Sequence, residues 1–342
     1  MFSGGWIVWG SDMRIRGGAI LIAFLLWAGS ACSPSATALR SSTTYRVPAT
    51  FADGLLVAIA DLYGSPAGAN HWDCVPSEAH PRPVILLHGI LGNMADNLSG
   101  LSPMLANEGY CVFALNYGGD PLSIFGGVID IRESAIKQFG PFVDSVLAAT
   151  KAEQVDIVGH SEGSVMPRYW MRYGSSVASN GSPKVGHMIG VAPASQGALD
   201  AELAERLRTN EPFKSVQKAL AENGCGACLQ LMNGSEFMTS INGAGPFPGE
   251  RFSGPAQPGV SYMMLATTWD NFVVPYRAGF IDHPQFKNQT VQQSCLIDHA
   301  DHLSIVFDPV AYDLILNELD LDNPRPVRCV ATEPAFTSVE QP

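Results

Sequence analysis

Val155-Asp156-Ile157-Val158-Gly159-His160-Ser161-Glu162-Gly163 decides how this chain is read. An apolar run passes straight into Gly-x-Ser-x-Gly, and a helical pattern follows from about Ser164 to Tyr173. A strand that turns sharply into a helix holds the serine between them in a strained bend. Gly159 and Gly163 suit such a turn, because strand and helix crowd together there and leave no room for side chains. The bend would hold the Ser161 hydroxyl above a sheet, at the positive end of the following helix. With 34 glycines in 342 residues, the pentapeptide alone would carry little. Its flanking strand and helix, together with a glycine-rich turn upstream, make it an expected nucleophile elbow. The plainer alternative is an ordinary strand-to-helix turn with a buried serine.

A serine hydroxyl is a weak nucleophile until a base takes its proton, and that base must be oriented by an acid. In chains with this elbow the order is serine, acid, histidine. After the apolar run Val260 to Ala266 comes Thr267-Thr268-Trp269-Asp270-Asn271, which puts Asp270 just beyond a strand end. Asp270 is the expected acid; a turn or helix-capping aspartate is the alternative. Asp298-His299-Ala300-Asp301-His302-Leu303 offers two bases. His302 is preferred over His299 because it directly precedes the packed run Leu303 to Phe307. Asp298 and Asp301 are rival acids only if the chain order is unusual, and Asp282-His283 reads as surface loop. His88-Gly89-Ile90-Leu91-Gly92-Asn93 follows the strand Val84 to Leu87 and supplies the glycine-rich turn. Its flexibility lets backbone amides approach an oxygen that becomes negative. The expected donors are the amides of Ile90 and Glu162, each lowering the barrier by about 3 kcal/mol. His88 is expected to brace this turn. No grouping of His, Asp or Glu has metal spacing, so neither metal nor cofactor is expected.

Strands are expected at Val84 to Leu87, Cys111 to Leu115, Val155 to Val158, Val185 to Val191 and Val260 to Ala266. A helix is expected over Ile131 to Thr150, with Ile136, Phe139, Val143 and Leu147 on one side, and another from about Pro309 to Leu319. Such alternation predicts an α/β fold: a mainly parallel central sheet with helices on both faces. The region 195–247 lacks clear strands and reads as a cap or excursion over the site, though its apolar residues also suit plain packing. Gly118 to Ile129, with Leu122, Ile124, Phe125 and Val128, reads equally as an apolar wall or lid and as core. Gly243 to Gly259 is rich in Pro and Gly and reads as a surface loop.

Arg14 and Arg16 precede the apolar run Gly17 to Ala31, which is shorter than the ~20 residues a bilayer span needs. With Ala36-Thr37-Ala38 behind it, this reads as a signal peptide over residues 1–38, leaving 39–342 as a single domain. Gly29-Ser30-Ala31-Cys32 fits a lipoprotein site in part, so a surface anchor through Cys32 is the alternative to secretion. Of the seven cysteines, Cys74, Cys111, Cys225, Cys228, Cys295 and Cys329 remain. An even number in an exported chain points to disulfides, although sequence alone selects no connectivity. Proximity suggests Cys74–Cys111, Cys225–Cys228 and Cys295–Cys329. A zinc site at Cys225-Gly226-Ala227-Cys228 would need a second ligand pair nearby, and none is present. Hydrophobic residues make up 46% and charged residues 15%, which excludes a disordered chain. A formal net charge of −12 argues against a nucleic-acid partner, since phosphate binding needs a basic face.

Taken together, Trp72-Asp73-Cys74, His88-Gly89, Asn93-Met94-Ala95-Asp96-Asn97 and Cys111-Val112-Phe113-Ala114-Leu115-Asn116-Tyr117-Gly118 resemble the secreted bacterial class 2 lipases of the triacylglycerol lipase type. The elbow itself, Cys225-Gly226-Ala227-Cys228, Asp270 with Val274-Pro275-Tyr276, and Asp301-His302-Leu303 are similar to that family too. The resemblance covers about residues 65–320. It implies an α/β-hydrolase fold, ester hydrolysis, and a triad of Ser161, Asp270 and His302. Glu162 departs from the pattern, since glutamine is more usual in such elbows. The expected function is hydrolysis of acylglycerol-type or other lipid esters through an acyl-enzyme on Ser161, with transient contact at a lipid interface and no obligate protein partner. A polyesterase, an acyltransferase using the same triad, and a non-catalytic binding protein are the alternatives.

Overall fold

Where the sequence is apolar on both faces, strands form: β1 (Val84–Leu87), β2 (Val112–Leu115), β3 (Val155–His160), β4 (Val185–Val191) and β5 (Ser261–Ala266). The computed structural model describes residues 43–119, 125–198, 224–243 and 248–335. The expected leader with Cys32, the residues Leu122 and Ile124, and much of the expected excursion over 195–247 lie outside the described residues. A further strand, β6 (Phe286–Thr290), completes a sheet in the order β2-β1-β3-β4-β5-β6. Every pairing in it is parallel. Ile85 and Leu87 of β1 pack into one apolar cluster with Phe139, Val143 and Trp170. Val84 and Leu86 pack into the other with Leu101, Leu105 and Ile315. Burial on both faces is why these strands read as unbroken apolar runs. Each fully buried Leu or Ile adds about 1.5–3 kcal/mol.

The sequence did not announce β6. Phe286-Lys287-Asn288-Gln289-Thr290 has neither an apolar run nor a clean alternation. It pairs only with β5, and an edge strand carries polar residues without cost.

Among the described residues the helices are α1 (Phe51–Ala60), α2 (Met94–Asn97), α3 (Leu101–Asn107), α4, α5 (Met166–Tyr173), α6 (Gly226–Gln230), α7 (Glu236–Ile241) and α8 (Pro309–Leu319). Here α4 is the continuous run of Ile131–Glu133, a π-helical segment Ser134–Phe139, and Gly140–Thr150. The π turn corrects one expectation. Wider winding puts Ile131, Ala135, Phe139 and Val143 inward, so Ile136 points out and is 42% exposed. Asp308 caps α8 by accepting from the Val310 and Ala311 amides at 2.8 and 3.0 Å.

Disulfides join Cys74–Cys111, Cys225–Cys228 and Cys295–Cys329, the pairs that proximity suggested. In the described part of the expected excursion, Ala227, Phe237, Met238 and Ile241 are buried in the main core, so α6 and α7 pack as structure. Gln230 ties α6 to the start of α4, accepting from the Ile131 amide at 2.6 Å and donating to Asp130 at 2.8 Å. The parallel sheet with helices packed on both faces is the α/β-hydrolase architecture. Among the described residues no helix is long and apolar enough to cross a membrane.

Candidate active site

Strand β3 ends at His160, and Ser161 follows with φ of +52°. A serine in the left-handed region costs about 1–3 kcal/mol and persists only where its surroundings dictate it. Here they do. A Cβ on Gly163 would lie 2.6 Å from the Leu87 carbonyl oxygen and 2.7 Å from that of His88, while one on Gly159 would strike the Gly163 carbonyl. Ser164 Oγ donates to the Ser161 carbonyl at 2.6 Å and closes the turn into α5. Ser161 is buried, yet it lines a cavity.

Asp270 follows the end of β5 and His302 lies on the loop before the 3-10 turn Ser304–Phe307. His302 Nδ1 lies 2.9 Å from Asp270 Oδ2 and 3.0 Å from Oδ1. The carboxylate is fixed in turn by the amides of Phe272 and Val273, which donate to Oδ1 at 2.9 and 2.7 Å. With Nδ1–H donating to Asp270, Nε2 is the nitrogen left for the cavity, which His302 also lines. The neighbouring carboxylates are engaged elsewhere. Asp298 accepts from the Ala300 and Thr332 amides, and Asp301 from those of Leu303 and Ser304. The His299 ring packs at a tilt against Trp269, with ring centroids 4.4 Å apart. His283 sits on the turn before β6 and accepts from the Gln285 amide.

Ile90 sits in the glycine-rich turn after β1, and its amide donates to no acceptor among the described residues. The Glu162 amide lies in the first turn of the 3-10 segment Ser161–Ser164, where amides have no partner within the helix. The turn is held from both sides. Gly126 exchanges hydrogen bonds with it, donating to the Gly92 carbonyl and accepting from the Leu91 amide. His88 is buried; its Nδ1 donates to the Gly89 carbonyl at 2.8 Å and its Nε2 accepts from the Tyr117 amide at 3.3 Å. Burial drops its pKa to about 4, so the ring is neutral and braces the turn.

Two positioning residues escaped the sequence reading. His160 Nδ1 lies 2.9 Å from Asn97 Oδ1 and its Nε2 lies 2.8 Å from the His302 carbonyl oxygen. Asn97 Oδ1 also accepts from the Gly89 amide at 2.9 Å. His160 therefore couples the turn after β1 to the loop bearing His302. Burial, and then the nearby His302, lower its pKa to about 3. Its position inside the Gly-x-Ser-x-Gly motif was the available signal.

Glu162 is buried, and neither carboxyl oxygen has a hydrogen-bond partner among the described residues. The Tyr117 hydroxyl donates to the His88 carbonyl at 2.8 Å, and its proximity to Glu162 opposes the effect of burial in part. Burial pushes the Glu162 pKa well above the usual range, so its side chain is held neutral.

The cavity that Ser161 and His302 share measures about 290 Å³. Its wall is mainly apolar, with Phe51, Leu55, Ile90, Leu91, Leu231 and Phe272. An apolar cleft with a few convergent polar groups suits a ligand that is mostly hydrocarbon around one polar centre. Among the described residues no group of three or more His, Cys, Asp or Glu gathers as a metal site would. The arrangement places a strained serine and an oriented base on one cavity, which is equipment for acyl transfer.

Comparison with known proteins agrees in kind. A family model described as lipase (class 2) matches residues 81–311. Triacylglycerol lipases of Pseudarthrobacter phenanthrenivorans and Burkholderia plantarii are each 34% identical over 92 residues, 25% of this chain. The match spans 27% and 24% of their respective lengths, about a quarter of these curated relatives. Among solved structures, Aspergillus fumigatus lipase B superposes with a TM-score of 0.54 at 14% identity, covering 81% of this chain and 68% of that one. That likeness is one of fold.

Proposed function

Because this chain belongs to the class 2 lipase family, we propose that it is a serine ester hydrolase acting on acylglycerol-type or other lipid esters. The observation that carries the reading is His302, hydrogen-bonded to Asp270, lining the same apolar cavity as Ser161. Ser161 Oγ attacks the ester carbonyl while its proton passes to His302 Nε2, and Asp270 stabilises the imidazolium. The carbonyl oxygen gains the negative charge and is held by the amides of Ile90 and Glu162. As the tetrahedral adduct collapses, the carbon–oxygen bond to the alcohol breaks and His302 returns the proton to the leaving oxygen. Water, deprotonated by the same histidine, then attacks the acyl-enzyme; the acid leaves and Ser161 regains its proton. Three disulfides among the described residues fit an oxidising compartment, and export is proposed on that ground.

Turnover of p-nitrophenyl butyrate by the full chain and by Ser161→Ala tests the mechanism. The expected loss in kcat is about 10⁴-fold or more; equal rates would defeat the proposal. Product analysis in the presence of an added alcohol separates hydrolysis from acyl transfer.

A further inference from the structure

Helix α1 is built the wrong way round for a helix in water. Its inward positions are small: Gly54, where a Cβ would strike the Phe307 ring, and Ala58, which is fully buried. Phe51 packs edge-on against Phe307, but the other large apolar side chains point outward. Leu56 is 68% exposed and Ile59 60%, with Leu55 and Val57 beside them. Amphipathic helices on soluble proteins place these sizes on the opposite faces. Asp53 is the only charged residue within the helix, and no Lys or Arg stands between Arg46 and Arg82.

Resting on the ester-hydrolase reading above, we infer that α1 is the surface by which this protein settles on an uncharged lipid–water interface. Continuity with the cavity selects that occupant. Phe51 and Leu55 line the cavity that holds Ser161, and the exposed side chains of Leu91 and Phe272 line it as well. The apolar face of α1 therefore continues through Leu55 and Phe51 into the cavity. A second copy or a protein partner seated there would cover the entrance. A lipid phase would extend it, since acyl chains could pass from the bulk past Leu55 to the serine. Charge selects the kind of lipid. With no Lys or Arg in residues 47–81 and a net charge of −12, α1 offers no charge attraction to anionic headgroups. Binding then scales with the apolar area buried.

Ser161→Ala protein, which leaves lipid uncleaved, is sedimented with phosphatidylcholine vesicles and with vesicles in which half the lipid is phosphatidylserine. Partition onto phosphatidylcholine is expected, and weaker partition onto the anionic vesicles. Adding Leu56→Asp and Ile59→Asp should lower partition by at least about tenfold. In the Ser161 background the same two changes should leave p-nitrophenyl butyrate turnover within about twofold, because neither side chain lines the cavity. Leu56→Trp gives an independent readout, its emission shifting to the blue when phosphatidylcholine vesicles are added. Absence of partition and of the emission shift, or a dimer in sedimentation equilibrium that the two aspartates dissociate, would overturn the inference. A wild type that fails on the dissolved ester would instead count against the hydrolase reading.

Discussion

His302 Nδ1 meets Asp270 Oδ2 at 2.9 Å across thirty-two residues of chain, while Asp301, its immediate neighbour, makes no bond to the ring. Two different elements set this distance. The end of β5 delivers Asp270, and the loop 298–304 is held against it by Thr267 Oγ1, which donates to the Ala300 carbonyl at 2.5 Å. Asp301 is occupied in holding its own turn, with Oδ1 accepting from Leu303 and Ser304.

If Asp270 orients the base, Asp270→Asn leaves the shape almost intact but favours the wrong imidazole tautomer. The expected loss in kcat is on the order of 10³–10⁴-fold, with KM little changed. His299→Gln should cost less than about threefold, since its ring faces Trp269. Steady-state kinetics on a soluble ester decide both. A large loss at residue 299 and a small one at residue 270 would reverse the assignment.

Gly163→Ala should be among the most damaging small substitutions. The new Cβ would sit 2.6 Å from the Leu87 carbonyl oxygen, and both groups belong to backbone that cannot swing aside. Separating α5 from β1 should cost about 3 kcal/mol, read from the urea midpoint. Ser161 would move with the helix, so kcat should fall along with stability. An unchanged midpoint would show that the elbow is looser than these contacts imply.

The core strands were legible because β1 to β5 are buried on both faces and carry continuous apolar side chains. The same logic hid β6, whose edge position lets Lys287, Asn288 and Gln289 stay polar. It also hid α1, where the inward residues are Gly54 and Ala58 and the periodicity of size is inverted. Ile136 was misplaced because a π turn changes the winding, and sequence periodicity assumes uniform α geometry. Ser161, Asp270 and His302 each stand where a strand or a packed segment begins or ends, which is why local pattern singles them out as candidates. The motif marks His160, but its partner Asn97 lies 63 residues away and is set by the fold.

The Cys295–Cys329 disulfide closes a loop of 34 residues and pins the tail to the loop that carries His302. Thr332 shows the linkage: its Oγ1 donates to Asp308 at 3.0 Å, and its carbonyl accepts from the His299 amide at 3.1 Å. Chain entropy alone assigns such a crosslink about 4 kcal/mol. Replacing both cysteines with serine should lower stability by about 2–5 kcal/mol in chemical denaturation. Activity should fall at temperatures where the wild type is still active, because the freed segment lies next to the histidine loop. A loss of stability below about 1 kcal/mol would place the restraint in the packing around Thr332 instead.

Glu162 combines the backbone amide proposed above as an oxyanion donor with a carboxyl group buried without a partner among the described residues. Burial raises its folded pKa well above the 4.5 of a free side chain. The folded state therefore holds the proton more tightly than the unfolded one. Its contribution is fully present below pH 4.5 and declines as pH climbs toward the folded value, by at most about 1.4 kcal/mol per pH unit. Tyr117 offsets this only in part, since burial outweighs its hydrogen bond and leaves the Glu162 pKa raised. Glu162→Gln removes the titration. Its Tm relative to wild type should rise steadily from pH 5 upward, as followed by calorimetry across pH. The rate should respond on the same side, since an ionised carboxylate behind the amide repels the oxyanion. Wild-type kcat should thus fall at alkaline pH while the glutamine variant holds level. Parallel Tm and rate profiles for the two proteins would mean that Glu162 is already ionised in the fold, with a cation or water beside it.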